Sequence, residues 1–171
     1  LFSKEEMVYI FELREVLEGL AARRAAARVT DAHIKKLNSF FVHFAKQKII
    51  SDYKGYARED RRFHSFVIDV GAQEFLKSIL LTTNIISFSY QVLHYEGLVR
   101  PPNETIKEHC AVIEAIKARD SESAEDLMRL HFKKSLAYLK REINGKEKGN
   151  TTTPVVKNNA SLMKGGDASQ P

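Results

Sequence analysis

A chain of 171 residues fits one domain of ordinary size with a real apolar core. Its 43% hydrophobic and 29% charged residues are typical of a globular protein, and its longest apolar region, SILLTTNIISFSYQVL, is broken by Thr, Asn and Ser, which excludes a transmembrane span. The net charge of +5 would permit contact with nucleic acid, but the basic residues are spread over every segment; the nearest thing to a patch, Lys133, Lys134, Lys140 and Arg141, reads as a solvated helix face, and no DNA- or RNA-reading motif is present.

Helix signals then follow one another along the chain. Ser3 with Glu6 forms a capping box opening a first helix, which carries Met7, Ile10, Leu17 and Ala21 inward and ends near Val29. Thr30-Asp31 starts a second, with the stripe Ile34, Leu37, Phe41, Phe44. A third runs from about Asp52 to Val70, with Gly71 placed to stop it. The fourth, Gln73 to Tyr95, is the most apolar, holding Phe75, Ile79, Ile86 and Leu93 before Gly97, and is expected to be central or at a subunit contact. Pro101 and Pro102 lead into a fifth, near Asn103 to Ala118, and Asp120 caps a sixth that reaches about Ile143. No strand alternation competes, so the expected fold is an all-α antiparallel bundle. From Asn144 the composition turns to Gly, Asn, Thr, Ser and Pro, giving a domain over 1–143 and a flexible tail over 144–171.

The start, LFSKEEMVYIFELRE, carries neither a signal peptide nor an initiator Met, which suggests a fragment or a processed chain. The single Cys110 excludes an intramolecular disulfide and fits a reducing cytoplasm. Although it neighbours His109, adjacent helical residues point about 100° apart, so it is left out of the site.

Four polar residues sit where helical stripes should be apolar. Asp60 and His64 fall on the stripe Tyr53, Tyr56, Phe63, Val67, Val70, one turn apart. His109 interrupts Ile106, Ile113, Ile116, and His131 interrupts Ala124, Leu127, Tyr138. A buried carboxylate or imidazole persists when it is hydrogen-bonded or bound to a metal, and both readings stand at this point. Three histidines and one carboxylate from three packed helices suit the first coordination sphere of a divalent transition metal. His33 and His43 read as solvated, whereas His94 could line a pocket or cap a helix end.

The strings EDRRFH, KEHCAVIEAIKARD and SAEDLMRLHF, in this order and spacing, resemble the FCD effector-binding domain of the FadR group of GntR-type transcription regulators. So does the opening helix ELREVLEGLAARRAAAR, with Arg14, Leu17, Glu18 and an Ala-rich turn; the likeness covers about residues 8–142. The resemblance implies a bundle of six or seven helices with a divalent metal in its core, ligated by Asp60, His64, His109 and His131. It further implies a small effector, often an organic acid, beside the metal, and a preceding winged-helix DNA reader that is missing here. One departure is Gln73, where the family usually has Asn near the start of the fourth helix.

The function expected is a cytoplasmic ligand-sensing and dimerisation domain rather than an enzyme. The metal is zinc, nickel or manganese, the effector a small carboxylate, the domain a homodimer, and DNA is contacted only through the missing N-terminal domain. The alternative is a mononuclear metalloenzyme with an Asp/His3 site, since open metal positions can activate water. No spare inward acid stands out as a general base, and Glu-x-x-His and His-Glu-x-x-His motifs are absent. Arg14, on the inward stripe Ile10, Arg14, Leu17, Ala21, is the candidate to hold the carboxylate; its competing role is an ion pair with Glu18 one turn along. Thr82, Thr83, Asn84 and Ser87 are candidates for neutral hydrogen bonds to the same ligand.

Overall fold

The computed structural model describes residues 2–95 and 99–149, and every regular element among them is helical. α1 spans Lys4–Arg28, α2 Asp31–Leu37, α3 Val42–Ala45, α4 Tyr53–Gly71, α5 Glu74–Tyr95, α6 Pro102–Lys117 and α7 Ser121–Gly149. The Ser3/Glu6 capping box is present, Thr30 accepts from the His33 amide, and Asp52 caps α4 through the Gly55 amide, so starts written in the sequence are starts in the structure. The side chain of His94 and the residues from 150 onward lie outside the described residues.

α1 and α7 are the long pair at the centre and run antiparallel. Ion pairs between Lys4 and Glu142, Glu12 and Lys140, Glu15 and Arg129, and Arg23 and Glu125 mark their course. Lys134 meets Glu108 and Lys133 approaches Glu15, so the basic face of α7 is a solvated, ion-paired surface. Across α1, the Ala-rich turn Ala21, Ala22, Ala25, Ala26 is fully buried and lets α4 come close.

Two expectations are revised, and the faces of a third helix are resolved. The second helix is two short ones, because Phe41 takes a left-handed conformation with φ 59°. Its amide donates to Glu59 Oε1 at 3.2 Å, and its ring stacks on His109 with centroids 4.9 Å apart and planes 7° from parallel. The strained backbone thus aims an aromatic face at the histidine cluster. α7 continues past Ile143 to Gly149, since extending an existing helix costs far less than starting one. α5, expected to be central or at a subunit contact, has a mixed core face of Leu80, Thr83, Asn84, Ser87, Tyr90 and Gln91, while Phe75 is 83% and Ile85 51% exposed. The side chains of Thr83 and Ser87 donate to carbonyls of their own helix, which satisfies them in the interior.

Gly71 ends α4, and its structural role is proximity rather than a left-handed stop. A Cβ built there would lie 1.9 Å from the Ala21 carbonyl oxygen of α1, a rigid backbone atom. Gly71→Ala should therefore destabilise by about 1–3 kcal/mol despite alanine's better helix propensity. A melting temperature lowered by several degrees is the expected reading, and an unchanged or raised one would show that the helices part without cost.

Candidate functional site

The four inward polar residues meet. α4 brings Asp60 and His64, α6 brings His109 and α7 brings His131. The three imidazoles are buried, and one ring nitrogen from each lies within 4.8 Å of the others, an arrangement that could hold a metal ion. Ring centroids stand 4.5 Å apart for His109 and His131, 5.3 Å for His64 and His109, and 5.4 Å for His64 and His131. Asp60 Oδ1 lies 3.2 Å from His109 Nε2.

Each imidazole is anchored from behind through Nδ1. His64 Nδ1 meets Glu18 Oε2 at 2.5 Å, His131 Nδ1 meets Glu108 Oε2 at 2.8 Å, and His109 Nδ1 meets the Tyr56 hydroxyl at 3.1 Å. Tyr56 is itself 3.1 Å from Thr105 Oγ1, whose other contact is the Pro102 carbonyl. Glu18 and Glu108, as carboxylates, accept from Nδ1–H, so the lone pairs of His64 and His131 are on Nε2, while the Tyr56 hydroxyl can donate to or accept from His109 Nδ1. His109 Nε2 is the test of whether this set fits a cation. It is fully buried and makes no hydrogen bond, although Asp60 Oδ1 lies 3.2 Å away, so this nitrogen and this carboxylate face each other with room for a shared cation.

The local electrostatics favour the neutral form of His109 and His131, the form in which an imidazole can ligate a metal. Burial pushes the His109 imidazole well below its ordinary 6.5, and the neighbouring His131 and His64 act in the same direction. Burial also lowers His131, opposed by its hydrogen bond to Glu108. Burial alone would raise Glu18, but the Arg14 guanidinium and the His64 ring hold its carboxyl at about 2. Glu108 is likewise held well below the carboxylate range, its burial outweighed by hydrogen bonds from His131 and Arg100.

Arg14 performs the structural role and also faces the site. Its Nε donates to Glu18 Oε1 at 2.6 Å, its Nη2 to Asn84 Oδ1 at 3.3 Å, and its guanidinium lies 4.7 Å from the Phe132 ring centre. With Asp60, His64 and His131 it lines a cavity of about 20 Å3. Of the α5 residues expected to contribute hydrogen bonds, Asn84 reaches Arg14 and Ser65, Thr83 and Ser87 bond their own helix, and Thr82 is exposed. Gln91 lines the cavity instead. Cys110 faces a separate groove with Phe44, Lys48 and Asn103.

Sequence reasoning missed Arg100, Glu108 and the role of Tyr56. Arg100 lies in the connection before α6, where no periodicity marks a residue as inward, yet it is 5% exposed and donates to both oxygens of Glu108. Glu108 is adjacent to His109 in sequence but serves His131, 23 positions away. Tyr56 was legible only as an apolar stripe residue; its hydroxyl is what matters.

Acid should unfold the metal-free protein through these groups. The unfolded chain protonates its histidines near 6.5 while folded His109 and His131 resist protonation, so stability decreases as pH falls below about 6.5. Glu18 acts in the same sense over a lower range: its contribution is present above 4.5 and is lost as pH falls toward 2. A melting temperature of chelator-treated protein that drops steadily from pH 7 to pH 5 is expected; a flat profile would contradict the buried neutral imidazoles.

The FCD domain family model matches residues 9–134. The uncharacterized HTH-type transcriptional regulator YdhC of Bacillus subtilis (strain 168) is 30% identical over 92 residues, 53% of this chain and 40% of that protein. A transcriptional regulator (GntR family member) from Pseudomonas syringae pv. tomato str. DC3000 superposes with a TM-score of 0.69 at 16% identity, covering 88% of this chain and 62% of that one. Streptococcus agalactiae GntR superposes with a TM-score of 0.61 at 21% identity, covering 80% and 61% respectively. The matched region thus spans less than two thirds of each relative's length, and among the described residues no helix is long and apolar enough to cross a membrane. With the family model covering most of the helical bundle, this chain belongs to the FCD domain family.

Proposed function

We propose that this chain is the ligand-sensing and dimerisation domain of a GntR-type transcription regulator, binding a divalent metal through Asp60, His64, His109 and His131 and a small carboxylate beside it. DNA would be contacted by a separate N-terminal winged helix, and the protein would act in the cytoplasm. The observation that carries the metal reading is the convergence of three buried histidines, one ring nitrogen of each within 4.8 Å of the others, with His109 Nε2 making no hydrogen bond and facing Asp60 Oδ1 at 3.2 Å. A nitrogen- and oxygen-only donor set without thiolate suits zinc, nickel or manganese, and the metal would supply an open coordination position for one carboxylate oxygen. Arg14, at the cavity wall, would hold that carboxylate by its guanidinium. A metalloenzyme is supported less well, because the glutamates behind His64 and His131 are each tied to an arginine rather than free to move protons.

Metal analysis tests this directly. Wild-type protein purified under metal-replete conditions should carry about one ion per chain, and His131→Ala should lose both metal and several degrees of melting temperature. Equal and negligible metal in both proteins would remove the site.

Dimerisation rests on surface that the bundle leaves uncovered. α5 exposes Phe75, Ile79 and Ile85, and α1, which packs against it, exposes Tyr9, Leu13 and Val16. A second copy of the chain would bury both stripes, as two-fold regulators of paired DNA half-sites require. Phe75→Glu with Ile79→Glu should yield a folded monomer with unchanged metal content in sedimentation analysis; a dimer that survives both substitutions would place the interface elsewhere.

A further inference from the structure

Two arginines reach the inner cavity, and each is paired through a glutamate to a histidine. Arg14 and His64 share Glu18, one per carboxylate oxygen. Arg100 and His131 share Glu108, which also accepts from Lys134 at 2.9 Å. The two relays differ in what surrounds the arginine. Arg14 is enclosed by Phe11, Phe132 and Asn84, with no second carboxylate in reach among the described contacts. Arg100 has one: Glu104 lies 3.9 Å from its Nη1, and that side chain is 60% exposed.

Arg100 also stands between two spaces. It lines the inner cavity of about 20 Å3, and it lines an open groove of about 570 Å3 together with Glu104, Glu108, Lys134 and Arg141. The inner space holds about one water molecule, so no carboxylate reaches the histidines while Arg100 stays in place. Lys134 and Arg141 make the mouth of the groove attractive to anions.

We propose that Arg100 is the selectivity residue of this site: it leaves Glu108, joins the inner cavity to the outer groove, and takes the outer carboxylate of a dicarboxylate whose inner carboxylate lies against Arg14 and the histidines. The inference rests on the reading of the site as a metal-dependent carboxylate sensor. The exchange strands no charge, because Glu108 keeps His131 and Lys134 while Arg100 trades one carboxylate for another. A monocarboxylate of equal length opens the same path but leaves the Arg100 guanidinium without the ligand's second anion. One charge-assisted bidentate contact therefore separates the two ligand classes, which corresponds to about 10- to 100-fold in affinity.

The test is calorimetric titration of the metal-loaded full chain with matched pairs: malonate against propionate, succinate against butyrate, glutarate against valerate. At least one dicarboxylate should bind about 10- to 100-fold tighter than its partner and than its own monomethyl ester. Arg100→Met, which keeps the length and removes the charge, should erase that preference in the metal-loaded variant; Arg100→Lys, which keeps a cation beside Glu108, should restore part of it. Equal affinities within every wild-type pair overturn the proposal, as does a preference that survives in Arg100→Met. Should Arg100→Met not fold, the wild-type comparison of each diacid with its monomethyl ester decides alone. Failure of the underlying reading looks different: metal-loaded wild type would bind no carboxylate of either class.

Discussion

Three imidazoles packed within about one ring diameter of each other cannot all carry charge, and cannot all turn their polar edges toward one another without compensation. The bundle meets this constraint from outside the cluster. Glu18 of α1, Glu108 of α6 and Tyr56 of α4 each hold one ring by Nδ1, and Arg14 and Arg100 keep the two glutamates ionised in a setting where burial would neutralise them. The arrangement reaches four helices: α1 is placed by Glu18, α4 by Tyr56 and His64, α6 by His109 and Glu108, and α7 by His131. Removing one outer partner would free a ring to rotate and would leave a buried arginine uncompensated, so the polar centre and the fold stand together.

The polar residues on the core face of α5 belong to the same logic. A helix that turns Thr83, Asn84, Ser87 and Gln91 inward gives up apolar contact with α1 and α4, and offers Asn84 to Arg14 in return. Phe75, Ile79 and Ile85 then face outward, where only a further surface can cover them. Polar interior and apolar exterior on one helix are thus two sides of a single assignment of faces.

How much of this was legible in the sequence follows from what each signal encodes. Capping residues act within three positions, so Ser3, Thr30 and Asp52 marked their helices correctly. Asp60, His64, His109 and His131 could be singled out because helical periodicity tells inward from outward and polar residues violate it. The break at Phe41 left no signal, since a bulky residue in a left-handed conformation is held there by tertiary contacts with Glu59 and His109. Composition marked α5 as apolar, but which side faces inward depended on partners for Asn84 that lie on other helices, Arg14 of α1 and Ser65 of α4. Arg100 and Glu108 are pairings across loops and helices, and a one-dimensional pattern does not contain them.

The close crossing at Gly71 reaches further than local packing. The same two helices that touch there, α1 at Ala21 and α4 at Gly71, also carry Glu18 and His64, so the gap between their backbones fixes the length of that hydrogen bond. Position 71 therefore works as a shim: the volume of one side chain, about two turns away from the histidines, calibrates how firmly His64 is presented. In natural or laboratory variation, the anchoring of His64 could be retuned at this remote contact while every histidine and every histidine partner stays the same.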